Sequence, residues 1–451
     1  MNITNNIFSS EKKDAYTLAL RAYIWGYPLI SSATLRLALT QQERSMAVSD
    51  TNAGAMLNQV GHGRSLFDPT SRGIGPNNDT LYSLAWLDLS EEPMVLETPN
   101  FGNRYYTFQM ALADTSTSMS VGQRTHGSQL PPLFIYGPSY DDAVPSGMLG
   151  VPSHTRYLLI AGRFLVDGSN DLEAVHKLQN QIRLRPLSAY LTGTKGKWDV
   201  PEQRPLIDLE HPVDPNLEFL EMLGNVLREW VITNDDERKL VESFQKIGLT
   251  QESGFDPNSL SQETKDEIIS GLTDGKKTVG DKSLNLGTNV NGWTINYNGP
   301  RFGTDYLLRA AVCKDQRHVT LPEEALYPLA RVDADGNQLN GSEKYLIKMH
   351  VSELPPVDAF WSITLYNDRG TMVENAINRY SIGDRTPGLI VDKEGHVDIR
   401  LQHIQPKSDV NWLPTPAQGP FYLMLRLYIP RKEILNKFWV PPKIVRLTSV
   451  S

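Results

Sequence analysis

The chain has one cysteine, Cys313, in 451 residues, so it forms no internal disulfide and builds no thiolate metal cage. That leaves its redox compartment open. No apolar run approaches the ~18 residues that span a bilayer, and Met1-Asn2-Ile3-Thr4 places no basic region before an apolar core. The expectation is a cytoplasmic protein with no membrane partner, unless a leader has been removed. Lys and Arg number 44 against 52 Asp and Glu, a net charge of -8 without a basic cluster, which argues against a nucleic-acid partner. The nine histidines are scattered and show no H-x-H, H-E-x-x-H or two-His-one-carboxylate spacing. His318 and His350 lack local partners, and no metal or cofactor is expected. There is no G-x-S-x-G, no phosphate-binding P-loop and no dinucleotide glycine pattern; Ser83, Ser118 and Ser381 stand alone.

The composition is that of a globular protein, 40% apolar and 21% charged, and its length predicts two or three domains. From Ser10 onward Ala15, Leu18, Ala22 and Trp25 recur at helical spacing, and Pro28 is expected to end or kink that helix. The period then changes to two. Leu81, Ser83, Ala85 and Leu87 fall on one strand face and Tyr82, Leu84 and Trp86 on the other. Further strands are predicted at 94–97, 104–112, 133–136 and 156–166, which favours an antiparallel sandwich. Helical patterns capped by Asn234 and Ser261 fill 200–280, and strands return from Lys344. The expected organisation is an N-terminal helical segment (1–70), a first β-sandwich (71–170), a helical subdomain (171–290) and a second β domain (291–451).

Several blocks together resemble a known family. They are Tyr23-Ile24-Trp25-Gly26-Tyr27-Pro28, His62-Gly63-Arg64, Pro76-Asn77-Asn78-Asp79-Thr80-Leu81-Tyr82-Ser83, and Arg104-Tyr105-Tyr106 running to Gln109. In the second half they are 359–366, Asn378-Arg379-Tyr380-Ser381-Ile382-Gly383-Asp384-Arg385, and Asn411-Trp412-Leu413-Pro414. The chain is similar, nearly end to end, to a bacterial and viral family of paired domains of unknown function, numbered 1254 on the N-terminal side and 1214 on the C-terminal side. The resemblance implies a mainly β fold with helical segments: an N-terminal immunoglobulin-like β-sandwich, a helical subdomain and a C-terminal jelly-roll β-sandwich. It implies no particular reaction.

Candidate residues come from polar blocks beside strand ends. Asp79 is a candidate general base with Asn78 as donor and Tyr82 beyond, or part of a self-satisfied Asx turn. His62 and Arg64 lie on one face if extended, which suits proton transfer beside an anion clamp, or they mark a surface turn. Arg104, Gln109 and Asp114 line a polar pocket or form a structural ion pair. In the second block Asp384 is a candidate acid or base and Arg379 an anion clamp, with Tyr380 or Trp412 as a stacking platform; the rival is an ion-pair network pinning the loop. Asp333-Ala334-Asp335-Gly336-Asn337 starts like a calcium loop but has Lys344 at the twelfth position, and is expected to be a turn.

Two functions compete. One is a cofactor-independent hydrolase or lyase acting on a small polar or anionic substrate in a pocket between the two β domains. Its catalytic residues would be Asp79, Asp384, His62 and Tyr82, and its binding residues Asn78, Arg64, Arg104, Gln109, Asp114, Arg379, Tyr380 and Trp412. The alternative is a non-catalytic glycan-binding or assembly module. Exposed sheet edges make a homo-oligomer an expected form of either.

Overall fold

The computed structural model describes residues 7–8, 14–40, 53–71, 73, 75–194, 202–232, 234–408 and 410–447. Its first half holds β1 (Gly61–His62), β2 (Thr80–Asp88), β3 (Met94–Glu97), β4 (Tyr106–Leu112), β5 (Thr117–Gly122), β6 (Leu133–Tyr136), β7 (Leu149–Pro152), β8 (Tyr157–Leu165) and β9 (Arg183–Pro186). They form a five-stranded sheet, β1-β2-β8-β4-β5, and a four-stranded sheet, β7-β6-β3-β9. Period-two alternation sends Leu81, Phe108, Met110, Leu158, Ile160 and Phe164 from the larger sheet into one cluster with Met94, Leu96, Leu133 and Ile135 of the smaller. Two sheets thus enclose one core. The β6/β7 pair is parallel, unlike the expected all-antiparallel arrangement, because the 137–148 crossover returns the chain alongside β6.

Among the described residues the helices of eight residues or more are α1 (Ala15–Thr40), α2 (Leu172–Gln179), α3 (Glu218–Leu227), α4 (Asp235–Ser243), α5 (Gln262–Ser283) and α6 (Tyr306–Gln316). Asn234 caps α4 by accepting from Glu237 N at 2.8 Å, and Ser261 caps α5 by accepting from Thr264 N at 3.1 Å, both as the sequence predicts. Of the two outcomes expected at Pro28, an end or a kink, the first does not occur: α1 does not end there. Residues on both sides of the proline, Trp25 and Leu29 among them, are buried in one cluster with α3, α5 and α6, and this packing carries the helix across the missing N–H. Gly271 and Gly275, one turn apart on α5, let it lie against α1: a Cβ at Gly271 would sit 2.3 Å from the Tyr16 carbonyl oxygen. The N-terminal helix and the central helices therefore share one core. Among the described residues no helix is long and apolar enough to cross a membrane.

A short pair, β10 (Leu249–Thr250) with β11 (Gly254–Phe255), sits among the helices. The second half adds β12 (Thr288–Val290), β13 (Trp293–Ile295), β14 (Ala325–Leu326), β15 (Leu329–Ala330), β16 (Tyr345–His350), β17 (Val357–Asn367), β18 (Ser381–Gly383), β19 (His396–Gln402), β20 (Asn411–Pro414), β21 (Phe421–Pro430) and β22 (Ile444–Arg446). β21 is central to the seven-stranded sheet, in the order β12-β13-β15-β21-β17-β18 with β14 also on β21. The second sheet, β20-β19-β16-β22, closes over it on a core containing Ile347, Ile363, Ile399 and Leu425.

The two β regions meet directly. On β4 the face opposite the core turns to the second half, where Gln109 Nε2 donates to the Val319 carbonyl at 2.8 Å. Tyr105 donates to Glu324 at 2.8 Å, and Tyr105, Phe360 and Tyr428 form an aromatic cluster across the junction. This junction positions the site.

Candidate functional site

Between the outer face of β2 and β8, the end of α1, residues 65–71, 73 and 75–77, and β21 lies a cavity of about 870 Å³. That volume accommodates a drug-sized molecule. Its composition follows from register. Tyr82 of β2 pairs with Arg163 of β8, and two residues along Leu84 pairs with Ala161, so alternation presents all four on the face away from the core. From the second half β21 presents Met424, Arg426 and Tyr428 by the same alternation. Tyr327 and His318 close another wall.

Two guanidinium groups reach this space, and their partners differ. Arg426 is held by neutral acceptors: it donates to Thr364 Oγ1 at 2.7 Å, to Tyr366 Oη at 2.7 Å and to the Gly75 carbonyl at 2.9 Å. Gly75 has φ +57°, a left-handed conformation that suits glycine, and this aims its carbonyl at Arg426. Arg163 is 7% exposed and makes one long donation, Nε to Tyr82 Oη at 3.4 Å, while its buried Nη1 has no partner among the described residues. Burial opposes the charge on Arg163, but the phenols of Tyr82 and Tyr327 favour it more strongly and keep it protonated. Among the described residues Asp68 is the one carboxylate lining the cavity, and its Oδ1 is taken up by Thr70 and Ser71 of its own turn.

The phenols complete a donor-rich surface. Tyr82 Oη accepts from Arg163 and from Asn77 Nδ2, each at 3.4 Å, and its own O–H has no acceptor among the described residues. Burial opposes ionisation of Tyr82, yet the charge of Arg163, the donations from Asn77 and Arg163 and the charge of Arg426 outweigh it and lower its pKa. Asn77 also donates to Tyr428 Oη at 2.9 Å. Burial holds Tyr428 well above the ordinary phenol value and pushes Tyr327 up to about 12. His318 is neutral: burial, then Arg317 and Arg163, bring it down to about 3, and its Nε2 has no partner. A cavity offering guanidinium and phenol donors, with Asp68 its one carboxylate among the described residues, is complementary to an anion at the Arg163 end.

The residues expected from the polar blocks are mostly engaged elsewhere. Asp79 is 4% exposed and accepts from Ser362 Oγ at 2.6 Å and Arg385 Nη2 at 2.8 Å. With Asn78, whose Oδ1 accepts from Ser381 Oγ at 3.4 Å, it joins the two blocks into one seam beside the cavity. Asp384 lies at the same seam, accepting from Trp361 N at 3.2 Å; desolvation, then Asp79, push its carboxyl up to about 6 against the Trp361 amide and Arg385. Arg379 does not reach Asp79, because it donates to the Trp412 carbonyl at 3.0 Å. Trp412 is 7% exposed and its Nε1 donates to Gln402, so its ring offers no open stacking face. Tyr380 donates to Asn378 at 3.1 Å and packs beside Phe67 and Tyr327.

In the first half, His62 Nδ1 bonds Ser83 Oγ at 2.7 Å, and burial, then Arg64, lower its pKa to about 4. Arg64 closes the C-terminal end of α2 through Gln179 and Asn180. Arg104 pairs with Asp171 and Asp114 with Arg309, so both form ion pairs, though not with each other. Gln109 is fully buried at the junction. The 333–337 segment is the expected turn, with Asp333 Oδ1 accepting the amides of Asp335 and Asn337. Asp392, Glu394 and His396 bring possible ligand atoms within 4.8 Å of one another, but Asp392 Oδ1 already receives the amides of Glu394 and His396 in an exposed turn. Of the expected residues only Tyr82 lines the cavity; Arg163, Arg426, Asn77, Tyr327, Tyr428 and His318 were not among the candidates.

Comparison with known proteins supports the resemblance. Residues 57–186 match a family described as a protein of unknown function (DUF1254), and residues 324–432 match one described as a protein of unknown function (DUF1214). The chain belongs to the proteins that pair these two domains in this order. The crystal structure of the VPA0106 protein from Vibrio parahaemolyticus is similar, with a TM-score of 0.69 at 23% identity, covering 96% of this chain and 100% of that one. That similarity is one of fold. A structure of an uncharacterised protein from Burkholderia cenocepacia also matches, with a TM-score of 0.45 at 12% identity over 99% of each chain. Nothing matches among curated proteins.

Proposed function

We propose that the chain is an enzyme acting on a small organic anion held in the cavity between its two β regions, by proton transfer of the lyase type. The observation that carries this reading is the buried guanidinium of Arg163, which lines an 870 Å³ cavity with Nη1 unpartnered and no carboxylate hydrogen-bonded to it among the described residues. A buried charge without a counter-ion is costly, and an anionic ligand supplies the missing partner. Tyr82 adds the chemistry. Against burial, its pKa is held below the ordinary phenol value by the charge of Arg163 and by hydrogen bonds from Asn77 and Arg163, which suits its Oη to accept a proton. In the proposed step Tyr82 Oη takes a proton from a substrate carbon. The C–H electron pair becomes a new double bond, and a leaving group on the adjoining carbon departs with the pair that bound it.

A hydrolase is less well supported. Ser65, Thr70 and Ser71 line the cavity, but Asp68 is engaged by its own turn and His318 is a weak base. Of the two stacking platforms proposed for glycan binding, Trp412 is buried and Tyr380 is half-buried. The implied immunoglobulin-like sandwich and jelly roll fit two halves in which a pair of sheets shares one core, and we retain them as the finer description of the fold.

The test is thermal unfolding with small carboxylates and their neutral amides, joined to NMR of carbon-bound hydrogen exchange in D2O. Carboxylates should raise the melting temperature, amides should not, and Arg163→Met should abolish the response. Tyr82→Phe should retain binding and lose exchange. An equal response from Arg163→Met would overturn the reading of the anchor, and exchange unchanged in Tyr82→Phe that of the base.

A further inference from the structure

We infer that the anion is amphipathic, with its charged group at Arg163 and an apolar tail or ring lying along β2 and β8 toward the end of α1. This inference rests on Arg163 as the anchor and goes beyond it to the substrate class. The cavity is polarised by register. Its first level is Tyr82 opposite Arg163, its second Leu84 opposite Ala161, and at the third Leu159 lines the wall. Levels on one strand face lie about 7 Å apart at two residues each, so polarity falls away over about 14 Å.

Helix α1 closes the apolar end. Leu35 and Leu39, one turn apart, both line the cavity and belong to the same apolar cluster as Leu84, Leu159 and Ala161. All five pack within that cluster and also line the cavity, so this limb presents an apolar wall. A fully polar substrate would leave this limb without apolar contacts, while a tail filling it removes both surfaces from water.

Ala161 sets how far the tail reaches. It lies on the central strand β8, flanked by Leu84 and Gln109, and its methyl is the smallest side chain at the second level. A larger residue there would project into the limb between anchor and apolar end. Ala161 is thus a specificity-determining residue that admits length, and it takes no part in the proton transfer.

Titration calorimetry with straight-chain carboxylates from acetate to octanoate, with octanamide as the uncharged control, tests the inference. Affinity of the unaltered protein should rise about fourfold per methylene, the factor corresponding to ~0.8 kcal/mol per buried CH2, and then level off. Ala161→Phe should weaken octanoate at least tenfold and change acetate less than twofold, with folding checked by circular dichroism. Should that variant not fold, the chain-length series on the unaltered protein still decides the matter. Arg163-dependent binding that is flat with chain length would overturn the amphipathic substrate while leaving the anchor standing. If no carboxylate binds, or all bind equally to Arg163→Met, the anchor itself is wrong and this inference falls with it.

Discussion

The junction between the two β regions buries two arginine-centred clusters whose partners differ. At the seam, Arg385 meets the Asp79 carboxylate at 2.8 Å, donates to the Val166 carbonyl and covers the Phe360 ring at 4.3 Å. At the cavity, Arg163 has a phenol at 3.4 Å and no carboxylate hydrogen-bonded to it among the described residues. Each arginine keeps one buried nitrogen unpartnered there, Nη1 on Arg163 and Nε on Arg385, so the carboxylate is what separates them. A buried charge that the chain itself neutralises holds the structure together. One without a carboxylate of its own is the basis of the proposed anion anchor.

That contrast is open to experiment, and the largest effect is expected at the seam. Arg385→Ala leaves Asp79 buried with Ser362 as its remaining side-chain donor and should cost about 3 kcal/mol in denaturant unfolding, whereas Arg163→Met should cost less than about 1 kcal/mol or stabilise the protein. Equal losses would erase the distinction. Next, Tyr82→Phe should slow the proposed carbon-bound exchange ~100-fold or more, read by NMR, with the chain-length dependence of carboxylate binding preserved. A pH effect sharpens the picture at the cavity wall. His318 has a folded pKa of about 3, below its ordinary 6.5, so the unfolded chain binds the proton more tightly. Its contribution to stability is full above pH 6.5 and is lost as pH falls toward 3, and His318→Leu should flatten that limb of the melting-temperature profile. The smallest effect belongs to Asp384, whose carboxyl is raised to about 6. Its contribution is full below the ordinary carboxylate pKa and lost as pH rises through 6, and because Asp384 is exposed, solvent screens it, so Asp384→Asn should raise the melting temperature only slightly at pH 8 and not at pH 4.

Much of the fold was legible because it rests on local rules. Alternation placed Tyr82 and Leu84 opposite Leu81 and Leu87, and the caps at Asn234 and Ser261 stood where side-chain chemistry puts them. Pro28 does not end α1 because tertiary packing on both sides of it outweighs a local preference. The site was read less well for a related reason. Polar density drew attention to loops, and loops satisfy their own polar groups, as Arg379 does with Trp412 and Asp68 with Thr70. The signal lay in solitary charges within apolar strands: Arg163 in Tyr157–Leu165 and Arg426 in Phe421–Pro430. Each is the one charged residue of its strand, on a face that apolar neighbours would otherwise fill. Which of the two was free required knowing what stood across the junction.

The grip of Arg426 on the carbonyl of Gly75 has a consequence for inheritance. The loop that walls the cavity is held by an arginine from the opposite half, and the free arginine sits on a strand whose own half supplies neither Tyr327 nor Tyr428. Neither half encodes a finished pocket. Under the proposed function, selection acts on the pair, and a gene rearrangement that parted the halves would also divide the helical core that α1 shares with α6.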